Sequence, residues 1–169
     1  HIGIVSLLIK AGANVDAPDK DGRAPVYVAA QEGHTEIITA LKAAGADVNK
    51  ACTYDGTTPF HVAAKWGHAQ AMYALIKAGV KMNTSNDATT LVCEAVRNGH
   101  AEVITALKHA GANVNVPGKD GTIPIHIAAH EGHTTVVIAL KHADANVNKP
   151  DNDGRTPVYI AAELGYAAT

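Results

Sequence analysis

The chain has 169 residues, 47% of them hydrophobic but only 4% aromatic, so alanine and aliphatic side chains must carry its packing. With 14 basic against 16 acidic residues the formal net charge is −2, too even to build the long-range field that draws in a nucleic acid. Two cysteines make no disulfide framework, no apolar run reaches bilayer-spanning length and no signal peptide opens the chain. The expectation is an intracellular, cytoplasmic protein with neither membrane nor nucleic acid as partner.

Residues 1–20 open on a helix whose Ile4, Val5, Leu7, Leu8 and Ile9 leave little polar face, followed by a polar turn. Residues 21–54 begin with Asp21-Gly22, a turn signal, because glycine reaches backbone angles that cost other residues dearly. Pro25 then predicts a helix start, since its fixed φ is already helical and its missing N–H is harmless there. Val26, Ala29 and Ala30 give this short helix one small apolar face, and Gly33-His34 breaks it. A second helix is predicted from Thr35 to about Ala44, with Ile37, Ile38 and Leu41 on one side. Gly45 ends it as a left-handed cap.

The same pattern returns over residues 55–86, 87–119 and 120–152, and residues 153–169 hold a first helix alone. Copies differ in instructive ways. The one at 87–119 has Ala88 in place of the turn glycine and Leu91 in place of the proline, so its hairpin is altered. The turn before Asp55 is one residue longer than its neighbours and the turn before Asp87 one shorter. Ala24 and Ile123 replace a threonine, losing a hydroxyl cap worth about 1 kcal/mol. Asp144 replaces the glycine cap, which aspartate tolerates better than most residues.

Gly33, Gly67, Gly99, Gly132 and Gly165 recur at steps of 34, 32, 33 and 33 residues, the mark of a stacked-repeat architecture. Neither helix of a unit can bury its stripe alone, so each unit needs neighbours. The alanine pairs Ala29-Ala30, Ala63-Ala64, Ala128-Ala129 and Ala161-Ala162 let those neighbours approach closely. Across essentially the whole chain the unit resembles the ankyrin repeat. Thr58-Pro59-Phe60-His61 stands closest to its opening tetrapeptide, and Gly33-His34 with Leu41 through Asn49 match the rest. The resemblance implies an all-α repeat solenoid of stacked helix–loop–helix units with β-hairpin-like turns, in one domain over 1–169. It also implies a protein-binding, non-enzymatic role, and hydroxylation at the turn asparagines Asn49, Asn115 and Asn148, with Asn83 at the same place. The uncovered helices at the two ends predict a piece of a longer array and end-to-end self-association.

Ten histidines invite a metal or acid–base reading. Five of them, His1, His34, His68, His100 and His133, share one repeat position at the start of the second helix. Stacked helices lie about 8–10 Å apart, whereas two nitrogens on one zinc must each sit about 2 Å from it, so the ladder is not expected to chelate. It is expected to bond the loop backbone of its own or the adjacent repeat. His61 and His126 share a position with Tyr27, Cys93 and Tyr159, an exchange that packing tolerates and catalysis does not. Cys93 is expected to be buried and Cys52, in the lengthened turn, exposed. No catalytic, cofactor or metal residues are assigned.

Presentation is separated from packing by comparing copies. After the alanine pair, kept in four of the five copies, come Gln31-Glu32, Lys65-Trp66, His130-Glu131 and Glu163-Leu164, with Arg97-Asn98 at the same place in the fifth, and these share almost nothing. The expected partner-binding residues are Arg23, Gln31, Tyr54, Lys65, Trp66, Arg97 and His130: an aromatic patch around Trp66 with a basic rim, suited to an acidic, apolar segment of another protein. Two alternatives stand beside that scaffold: a structural spacer, and a small-ligand or nucleotide site using Lys65, Trp66 and Arg97.

Overall fold

The computed structural model describes residues 1–80 and 84–165, the side chains of 84–89 excepted. Its contacts divide the chain into two units, His1–Lys81 and Met82–Thr169. The first holds α1 (Ile2–Lys10), α2 (Pro25–Gln31), α3 (Thr35–Ala43), α4 (Pro59–Lys65) and α5 (Ala69–Lys77). The second holds α6 (Thr84–Arg97), α7 (Ala101–His109), α8 (Pro124–Glu131), α9 (Thr134–His142) and α10 (Pro157–Glu163). Among the described residues there are ten helices and no strand.

Each unit is a stack of helix pairs. In the first, α2 packs on α3 and α4 on α5 within their pairs, while α2 meets α4, and α3 meets both α1 and α5. In the second, α6 packs on α7 and α8 on α9, while α8 meets α6 and α10, and α7 meets α9. Within each unit the first helices of the pairs thus line one side and the second helices the other. Val26, Ile38, Phe60, Met72 and Leu75 are fully buried in the first unit, and Ile104, Leu107, Ile123, Ile125 and Leu140 in the second. Each such side chain contributes about 1.5–3 kcal/mol by leaving water. The pairs Ala29-Ala30, Ala63-Ala64 and Ala128-Ala129 are buried as well. On α1, Ile4, Leu7 and Leu8 remain exposed, as do Val158 and Tyr159 on α10.

The turns between pairs close alike. Asp19 and Arg23 bond through backbone N–H and C=O, as do Gly118 with Thr122 and Asp151 with Arg155, each spanning four residues. In the lengthened turn the bond runs from the Cys52 N–H to the Thr57 carbonyl and spans five, so the additional residue bulges outward and Tyr54 is 88% exposed. This corrects the expectation for Cys52. The thiol is buried, only 5% exposed, and donates to the Asp21 carbonyl at 3.2 Å from the closing position of its turn, the place that Asp19 and Asp151 hold elsewhere. Cys93 is half-buried rather than buried.

The copy without proline or turn glycine departs most. A turn is expected ahead of Thr90, but α6 runs unbroken from Thr84 for 14 residues, where α2, α4 and α10 have seven. Nothing in its sequence forbids backbone N–H groups from continuing the helical ladder, whereas Pro25, Pro59, Pro124 and Pro157 force a beginning in the other copies. Where threonine stands before the proline it caps the helix: Thr58 Oγ1 accepts from the His61 N–H and Thr156 Oγ1 from the Tyr159 N–H, both at 3.4 Å. At Ile123 the cap works in reverse, with the Ile123 N–H donating to His126 Nδ1 at 3.1 Å.

The histidine ladder is explained by the glycines. Gly33 has φ of 72° and Gly99 of 73°, the left-handed region that glycine reaches freely. A methyl group at Gly33 would meet His68 Nδ1 at 2.8 Å, and one at Gly99 would meet the His133 ring at 3.5 Å. His133 also reaches the Arg97 carbonyl with Nε2 at 3.1 Å, tying the start of one second helix to the end of the preceding first helix. His68 and His133 therefore each seat on the bare backbone of the repeat before them. Gly33→Ala should cost more than 1 kcal/mol, from the positive φ and the lost seat together. His68→Ala in that background should recover the steric part, so urea unfolding of the four-member cycle should be non-additive. Strict additivity would place the whole cost in the backbone angle.

Candidate protein-binding surface

The variable pairs sit at the ends of the short helices, where α2, α4, α8 and α10 give way to the loop before the next helix. Lys65, Trp66, Arg97, Asn98, His130, Glu131, Glu163 and Leu164 are exposed there, and Gln31 is half-buried. Trp66 is the C-cap of α4 and 58% exposed, while Ala63 and Ala64, one turn earlier, are no more than 1% exposed. A bulky ring held out beside a sealed core is a surface feature.

The residues of the expected patch stand on different elements. Tyr54 lies in the turn before α4 and Trp66 at its other end, so the length of a seven-residue helix, about 10 Å, runs between their backbones. Lys65 adjoins Trp66. Arg23 is committed to its own turn: its guanidinium meets Asp19 at 2.7 Å and Asp21 at 3.2 Å, so it adds little free positive charge to a rim. Gln31 Nε2 donates to Glu32 Oε1 at 3.1 Å. Arg97 and His130 belong to the second unit, where both line a groove of about 460 Å³ along the ends of α6, α8 and α10.

Carboxylates shape the turns. The Arg23 guanidinium, then the Arg23 amide, hold the Asp19 carboxyl below the usual range. The Thr57 hydroxyl and amide do this for Asp55, and those of Thr122 for Asp120. Burial alone would raise Asp151, but the Arg155 amide and guanidinium outweigh it and its carboxyl is lowered too. Sequence reading missed these clips, although Asp19-Lys20-Asp21-Gly22-Arg23 and Asp151-Asn152-Asp153-Gly154-Arg155 repeat one pattern in plain view. Neighbouring turns are laced as well. The Asp16 carboxylate accepts from the Asp47 N–H, and Asn115 both accepts from the Asn146 N–H at 2.7 Å and donates to the Asp144 carbonyl at 2.8 Å. Asn83 lies outside the described residues.

Chemistry finds less support. Among the described residues no group of three or more His, Cys, Asp or Glu side chains gathers as a metal ion would require. Burial pushes the Cys93 thiol up, away from the thiolate that nucleophilic attack needs. Among the described residues no helix is long and apolar enough to cross a membrane.

A family model for ankyrin repeats matches the chain in three overlapping copies, over residues 1–86, 39–118 and 92–169. The chain belongs to the ankyrin-repeat family. Comparison with curated proteins gives no match. Ankyrin repeats generally mediate protein–protein interaction and are typically non-enzymatic, which agrees with a surface whose variable side chains cap rigid helices rather than converge on one reactive point.

The turn carboxylates make a testable pH signature. Their folded-state pKa values lie below the unfolded value of about 3.9, so the stability they add is complete above that value and is lost as pH falls through the folded values. A carbon-detected NMR titration should show Asp19, Asp55, Asp120 and Asp151 taking up their protons later on the way down in pH than ordinary aspartates. In Arg155→Met the Asp151 carboxyl should titrate higher than in the parent, because the guanidinium is lost while the amides of residue 155 and Asp153 still oppose burial. An unchanged Asp151 would remove the Arg155 guanidinium as a cause.

Proposed function

We propose that this ankyrin-repeat chain is a non-enzymatic scaffold that holds another protein against the exposed ends of its short helices. Trp66 is the observation that carries the reading: the single tryptophan, 58% exposed, fixed at a helix terminus beside buried alanines. A tryptophan so placed gives a large contact area at small entropic cost, the property that makes it frequent among binding hot spots. Exposed Lys65 next to it favours an acidic residue in the occupant, and Tyr54, projecting from the lengthened turn, offers a second contact about one helix length away. Gln31 flanks this surface in the first unit, with Arg23 neutralised within its turn. In the second unit Arg97 and His130 hold the corresponding helix-end positions.

Affinity capture with the intact chain and with Trp66→Ala tests this. The substitution should leave the thermal unfolding midpoint in place, since Trp66 is mostly exposed, and should weaken a captured partner by about 2 kcal/mol or more. Loss of the fold, or a partner that binds both forms equally, would remove Trp66 from the site.

A further inference from the structure

The groove in the second unit has a chemistry of its own. Its apolar lining is Ile127 of α8, Ile160 of α10 and Leu164 just beyond it, the last a bulky side chain left exposed. Glu131 and Glu163 line it from the ends of two helices that pack on one another, at a spacing of about 8–10 Å. Asp120 and Asp151 lie at the turn end. The positive charges do not balance these four. Arg155 is spent on Asp151 at 3.0 Å and on Asp153 at 3.1 Å, and Arg97 stands on α6. His130 leans on Glu131 at 3.4 Å.

A further feature asks for an occupant. His126 lines the groove, is 1% exposed, and its Nε2 has no hydrogen-bond partner among the described residues. Its Nδ1, on the other side of the ring, accepts from the Ile123 N–H, so the ring proton sits on Nε2. A buried donor without an acceptor is costly, and a carbonyl on the groove floor would reach it once the sealed ring edge shifts outward.

From this arrangement we infer that the groove docks an extended peptide segment of a partner protein carrying an apolar residue and a basic residue, the basic side chain lying between Glu131 and Glu163. This rests on the reading that the short-helix ends face the partner, and it gives the second unit a preference opposite in sign to that of Lys65 and Trp66 in the first. Arg97 repels a second cation at the α6 end, so the basic residue is confined to the α8–α10 half of the groove. The segment's apolar side chain covers Ile160 and Leu164.

Fluorescence anisotropy with the whole chain tests the assignment, using a labelled synthetic peptide alternating leucine, serine and arginine, and a counterpart with glutamate for arginine. The arginine peptide should saturate and the glutamate peptide should not. Glu131→Gln with Glu163→Gln should weaken the arginine peptide about tenfold, and raising the salt should weaken it further. Glu36→Gln and Glu102→Gln, exposed carboxylates on the long helices, should leave it unchanged. So should Trp66→Ala, which keeps this test apart from the previous one. An arginine peptide that fails to saturate, that ignores the paired Glu131 and Glu163 substitutions, or that weakens equally with the Glu36 and Glu102 controls overturns the inference.

Discussion

Everything in this protein depends on how closely one repeat can approach the next. The short helices meet through alanines because a larger side chain at Ala30, Ala63, Ala64 or Ala128, each at most 1% exposed, would hold the helices apart. At Gly33 the loop needs glycine for a like reason, because the His68 imidazole of the following repeat lies where a side chain would otherwise stand. Burial is therefore supplied by neighbours only, and stability is the sum of local interfaces. Conditions on one small residue per layer set the whole periodicity.

That constraint leaves the adjoining positions free. Once two alanines have sealed a layer, the next two residues emerge from it at the helix end, and packing no longer restricts what they are. Glutamine, lysine, tryptophan, arginine, histidine and glutamate all occur there in one chain. Rigid helices present them and clipped turns hold the helix starts, so a partner meets side chains whose backbone is already ordered. Little of the binding free energy is then consumed in ordering the site. The carboxylates in the turns serve that order rather than the partner, since Asp19 and Asp151 are each bound to an arginine four residues on.

Much of this was legible in the sequence, for a physical reason: glycine and proline act locally, so they mark boundaries wherever they stand. Pro25 does begin a helix, Gly45 is left-handed at φ of 95°, and Asp144 takes the same hand at 66°. What stayed illegible depended on who faces whom. Cys52 looked exposed because its turn is long, yet the additional residue bulges after it and the thiol folds under. Arg23 reads as a rim charge until the closing turn brings Asp19 onto it, although the repeated Asp-x-Asp-Gly-Arg pattern stands in the sequence. Tyr54 and Trp66 looked adjacent because twelve positions in sequence do not display the helix between them. The sequence of the long α6 predicts only an altered hairpin, because an absent proline and an absent glycine say what does not happen, not what replaces it.

The central claim is that neighbouring positions in one helix divide between packing and presentation, and a paired stability series tests it most directly. One set enlarges the sealed positions (Ala30→Leu, Ala64→Leu and Ala128→Leu) and the other changes the emergent ones (Gln31→Glu, Lys65→Glu and His130→Glu). Urea unfolding should show the first set losing about 1–3 kcal/mol each and the second staying within about 0.5 kcal/mol of the parent. Equal sensitivity in the two sets would contradict the division, and with it the assignment of the helix ends to a partner.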